Sequence, residues 1–142
     1  MTTKMTAYHS DPAIKATYLA RIRAHRAADE LVSGVYWENG RGCAVGCTIH
    51  GSNHLAYERE LGIPAVLAHL EDQIFEKLPA AAAQQWPAKF LSAIKPGADL
   101  SGVWPRFATW LMTDSVNGVL RHARGFSNIE QAIRGVAAMY ER

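Results

Sequence analysis

Between Tyr36 and His54 the chain reads YWENGRGCAVGCTIHGSNH, which gathers both cysteines of the protein and two of its six histidines. Cys43, Cys47, His50 and His54 follow the pattern C-x3-C-x2-H-x3-H. Thiolate and neutral imidazole both suit zinc, although the usual finger separates its cysteine pair from its histidine pair by a longer loop. The same residue types also suit thiol chemistry. A cysteine just after a glycine-rich turn and at a helix start has its thiolate stabilised by the helix N-terminus, and a nearby imidazole lowers its pKa further.

A second pair lies upstream, where His25 and Asp29 are one helical turn apart. In a thiol site Cys43 is the nucleophile, His25 or His50 the base or charge partner, and Asp29 the group that orients the imidazole. In a metal-dependent hydrolase His25, Asp29 and one or both of His50 and His54 are the ligands and one position is left for water, whereas Cys47 and His54 are metal ligands in the C-x3-C-x2-H-x3-H reading. Neither demands itself: a buried Asp–His pair also serves structure alone, and cysteine is a good small core residue. The familiar signatures for dinucleotide binding, phosphate loops, zinc proteases and serine hydrolases are absent.

These residues need a scaffold, and the periodicity predicts a helical one. Asp11-Pro12 opens a helix that is expected to run to Ser33 and stop at Gly34, with Ile14, Tyr18, Ile22 and Val32 on one stripe and His25 and Asp29 inside it. Arg23, Arg26 and Glu30 fall on the opposite side. Asn39-Gly40 signals a hairpin over Val35–Thr48, whereas Cys43, Cys47 and His50 recur at the spacing of one helical face. The difference is chemical: four residues span about 13 Å in a strand and about 6 Å in a helix, and only the helix lets the cysteines act together. The helix is the preferred reading.

Beyond it, Ser52 or Asn53 caps a helix ending at Gly62. Pro64 starts another with a stripe of Ile63, Val66, Leu67, Leu70, Ile74 and Leu78, and His69 falls at its edge as a surface residue. Pro87 and Pro105 open two more. Ser127 with Glu130 reads as a capping box for the last helix. The expected fold is mainly α, a single domain over residues 1–142 with five to seven helices and at most one short hairpin near residues 35–48.

Length and charge bound the rest. A chain of 142 residues with 49% hydrophobic content suits one core. A net charge of +2 lacks the concentrated basic surface of a nucleic-acid binder. There is neither a signal-like apolar run at the start nor a stretch of roughly 20 apolar residues, so a cytoplasmic protein with reduced cysteines is expected. On balance the reading favours a binding or interaction module. It would present the Trp37–Arg41 loop to a protein or small-molecule partner, Trp and Arg being frequent interface anchors. The alternative is an enzyme built on Cys43, His25, Asp29 and His50, with zinc among the admissible cofactors.

The run YWENGRGCAVGC, together with ERELGIP further on, resembles small proteins of bacteria and their phages that share a YWENG-(K/R)-GCAVGC segment. The resemblance covers most of the chain. It implies a bacterial or phage setting and brings with it no activity and no residue roles.

Overall fold

The computed structural model describes residues 4–142. Its contacts divide the chain into two compact units, the first ending at Leu100 and the second comprising Ser101–Arg142. The architecture is mainly α, with six α-helices and one two-stranded antiparallel hairpin among the described residues. Among the described residues no helix is long and apolar enough to cross a membrane.

The first unit opens with a left-handed turn in which Tyr8, His9 and Ser10 all take positive φ (53°, 49° and 62°). It is tied down on three sides. The buried Tyr8 hydroxyl donates to Leu91 O at 2.6 Å, His9 Nε2 lies 3.0 Å from Arg59 O, and Ala7 exchanges backbone hydrogen bonds with Gly97 and Ala98. Helix α1 (Pro12–Ala27) starts as its sequence predicts, the Asp11 carboxylate accepting the Ala13 N–H at 2.8 Å. It ends six residues before Ser33, because Asp29 adopts a left-handed φ of 55°. That stop turns Leu31 into the core, where it is 3% exposed, and aligns Glu30 and Val32 with Gly42. The Gly42 N–H donates to Glu30 O and the Val32 N–H to Gly42 O.

The Asn39-Gly40 turn and the helix reading both hold, in succession, but the strand expected over Gly42–Thr48 does not form, because that stretch is helical from Ala44. Strands β1 (Trp37–Glu38) and β2 (Arg41–Gly42) pair Trp37 with Gly42 and Glu38 with Arg41, across a turn in which Asn39 and Gly40 both have positive φ. Cys43 then caps α2 (Ala44–Ile49), its sulfur accepting the Gly46 N–H at 3.5 Å. His50 ends that helix in a left-handed conformation, φ 52°. Helix and hairpin touch where only glycine fits: a Cβ on Gly46 or Gly42 would lie 1.5 or 2.0 Å from Tyr36 O.

A single π-type turn (Tyr57–Leu61), stopped by Gly62 at φ 61°, leads into α3 (Ala65–Lys77) and α4 (Ala80–Ala93). Pro87 sits inside α4 rather than opening a helix. The buried face of α3 is Leu67, Ala68, Glu71, Asp72 and Phe75, rotated from the expected stripe so that Val66 is exposed and two carboxylates point inward. In the second unit α5 (Val103–Thr113) and α6 (Ser127–Tyr140) flank a 3-10 turn (Val119–Ala123). The expected capping box does not form. Phe126, not Ser127, is the cap residue, and Glu130 accepts the Gly125 N–H instead.

Candidate functional site

Helix α2 has chemistry at both ends. Cys43 at its start and His50 at its end are seven residues apart, roughly 10 Å along the axis, so the thiol and the histidine pair are separate sites.

At the His50 end, His25 Nε2 lies 2.8 Å from His50 Nε2, and His25 Nδ1 lies 2.5 Å from Glu30 Oε2. Trp37 stacks on His50 with centroids 4.5 Å apart and planes 12° apart, and meets His25 edge-on at 5.5 Å. The carboxylate partner of His25 is therefore Glu30 and not Asp29. Asp29 is exposed, and its backbone is the helix stop that brings Glu30 around. Burial lowers the His50 pKa, with the charges of Arg21 and His25 adding to the effect. The Nε2–Nε2 contact is a hydrogen bond in which one ring donates and the other accepts.

At the Cys43 end, Cys43 Sγ, an Asp72 oxygen and a Glu76 oxygen all lie within 4.8 Å of one another. Asp72 and Glu76 are one turn apart on α3. They line a cavity of about 180 Å³ with Gly34, Val35, Tyr36 and Gln73. Both Glu76 oxygens accept the Gly34 N–H, at 3.0 and 3.1 Å. His54 stands behind Asp72, its Nε2 3.7 Å from Asp72 Oδ2, which is too far for a hydrogen bond. Its ring is stacked on His69 at 3.8 Å and meets Tyr36 edge-on. His54 is 8% and Asp72 5% exposed, yet His54 Nε2 and Asp72 Oδ1 have no hydrogen-bond partner. Leaving such groups dry and unpaired costs about 1–3 kcal/mol each.

The thiols are not activated. Burial above all, then the neighbouring Asp72 carboxylate, pushes Cys43 up to about 12. Burial likewise pushes Cys47 up to about 11. Both cysteines are free and buried. Cys47 donates to Gly42 O at 3.3 Å and to Glu30 O at 3.5 Å, the environment of a small core residue. Sequence reasoning thus placed four catalytic residues together that the fold divides: His25 and His50 meet, Cys43 joins Asp72 and Glu76, and Asp29 faces solvent. Of the two expected metal ligands, His54 lies beside the acidic group while Cys47 packs in the core.

Asp72 and Glu76 escaped the sequence reading because the stripe chosen for α3 left them on its outer face. Phe75 was the missed signal, a large aromatic residue that belongs inside and carries Asp72 and Glu71 inward with it. Glu71 is fully buried, accepts the Tyr57 hydroxyl at 2.6 Å, and is pushed up to about 8 by burial.

No protein-family model, no curated protein and no solved structure matches this chain.

Proposed function

We propose that this is a metal-binding domain whose centre is formed by Cys43, Asp72 and Glu76, with His54 as the partner of Asp72, and that zinc is the metal. The observation that carries the reading is the convergence of three ligand types within 4.8 Å beside buried polar atoms that lack partners. Ligand atoms on a tetrahedral zinc ion stand roughly 3.3–3.8 Å apart, given bonds of about 2.0–2.3 Å. Modest side-chain motion closes the group onto an ion. A cation would also give Asp72 Oδ1 a partner, and it would deprotonate a thiol that burial and the Asp72 carboxylate keep neutral. Three protein ligands leave a fourth position toward the cavity, where a metal-bound water is set up for hydrolytic chemistry.

Cobalt(II), a coloured stand-in for zinc, tests this. One equivalent per chain should produce a thiolate-to-cobalt charge-transfer band that Cys43→Ser and Glu76→Gln abolish and Cys47→Ala retains. Absence of the band in folded wild-type protein, or its survival in Cys43→Ser, would sink the proposal.

A second reading is an interaction module, favoured by one observation. Glu38, Asn39 and Arg41 stand exposed on a hairpin that Gly42 and Gly46 lock against α2. Trp37 is committed to His50, so Arg41 carries the contact. Arg41→Ala should weaken capture of a partner while leaving the cobalt band intact, and equal capture by wild type and variant counts against the module.

A further inference from the structure

The histidine pair at the far end of α2 is built in the manner of a ligand set. Imidazoles that bind metals through one ring nitrogen almost always give the other N–H to a carboxylate or carbonyl, which fixes the tautomer and the ring plane. Glu30 does this for His25, holding Nδ1 at 2.5 Å and leaving Nε2 directed at His50. The His50 Nε2 faces back, so the two imidazole nitrogens meet head-on across one hydrogen bond, which an ion would replace once the rings turn toward it. His50 reaches that position only by adopting a left-handed backbone, uncommon for a non-glycine residue. Trp37 then clamps its ring face.

The separation is close to what an ion requires. Two nitrogens each about 2.0–2.1 Å from a tetrahedral zinc ion stand roughly 3.3 Å apart, and cis positions of a square-planar ion put them about 2.9 Å apart. The observed 2.8 Å needs a widening of at most about half an ångström, together with a rotation of the rings that brings both nitrogens to bear on the ion. Access is open: His50 is exposed, whereas the His25 side chain is 13% exposed. The charges around His50 are mixed, Arg21 opposing a cation and Glu30 and Glu60 favouring it.

We propose that His25 and His50 form a second cation site, independent of the Cys43 centre, which takes a borderline divalent ion such as nickel, copper or zinc through two imidazoles. With only two protein ligands the remaining positions are held by water or by a donor group from another molecule. The site is therefore one of exchange rather than of permanent structure. It is a satellite of the fold, and neither His25 nor His50 belongs to the acidic centre.

Trp37 supplies the readout, because a paramagnetic ion bound to His50 lies against its indole. Titration of the full chain with nickel(II), followed by tryptophan fluorescence and calorimetry, should show saturable quenching with one equivalent per chain. His50→Ala, with its fold checked by circular dichroism, should weaken binding at least tenfold, and Glu30→Gln by about tenfold or more. Trp37→Phe should remove the quenching while calorimetric binding persists. Glu76→Gln should abolish the cobalt–thiolate band and leave nickel quenching unchanged, so failure at one site is told apart from failure at the other. Nickel affinity that is equal in wild type and His50→Ala, or quenching that never saturates, overturns the second site.

Discussion

Replacing Gly46 with alanine reverses the sign that helix propensity alone predicts. In an open helix interior the change is worth about 1 kcal/mol of added stability. Here the new Cβ would lie 1.5 Å from Tyr36 O and 2.6 Å from Tyr36 C. A carbon–oxygen contact is comfortable near 3.3 Å, so α2 and the bend at Tyr36 that leads into β1 must part by roughly 1.8 Å. Two features sit across that seam. They are the Cys43 N–H donation to Val35 O at 2.7 Å and the stack of Trp37 on His50. Overpacking costs about 1–3 kcal/mol and the lost backbone hydrogen bond roughly 1 more, giving a net loss of about 2–3 kcal/mol after the propensity gain. Urea denaturation followed by circular dichroism measures it. Gly135→Ala, inside α6 with nothing within 4 Å of the added methyl, is the control and should gain about 0.5–1 kcal/mol. A Gly46→Ala protein as stable as the wild type would refute the packing argument, and with it the claim that this glycine fixes the distance between hairpin and helix.

Glu71 makes stability depend on pH in metal-free protein. Its carboxyl is raised from an ordinary value near 4.5 to about 8, so its contribution is fully present below pH 4.5 and is lost as pH rises through 8. The loss is on the order of 5 kcal/mol across that window, and Glu71→Gln should flatten it; identical pH profiles of stability in chelator would show that Glu71 does not titrate as described. Asp11→Ala removes the cap that accepts the Ala13 N–H and should cost about 1 kcal/mol in the same melts. Tyr8→Phe leaves the buried Leu91 carbonyl without its donor and should cost about 1–3 kcal/mol, whereas an unchanged midpoint would mean that water replaces the hydroxyl.

What the sequence made legible was local. Asn39-Gly40 announces its turn because both residues tolerate positive φ, and α2 shows in the helical spacing of Cys43, Cys47 and His50, with Cys43 as its cap. The His25–His50 meeting was half visible: both were singled out, but their partner was taken to be Asp29. That error has one cause. Aspartate at a left-handed helix stop is indistinguishable, in a list of residues, from aspartate on a helix face, and only the pull of Leu31 into the core decides between them. The acidic half of the Cys43 centre was hidden by the ordinary rule that charges face water. Three carboxylates, Glu71, Asp72 and Glu76, fall within six residues of α3, and the rule fails for Glu71 and Asp72 because Phe75 claims the same face.

The left-handed turn at Tyr8–Ser10 carries a consequence for how the molecule comes apart. Each residue there gives up about 1–2 kcal/mol of backbone energy, and none of the three is a glycine. The turn survives because its anchors reach elements distant in the chain, at Arg59, Leu91 and Ala98. It acts as a sprung latch, closed by contacts that form only when the far end of the unit is in place. The amides of this turn and of its partner loop Lys95–Ala98 should therefore lose exchange protection together, before those of the helices behind them.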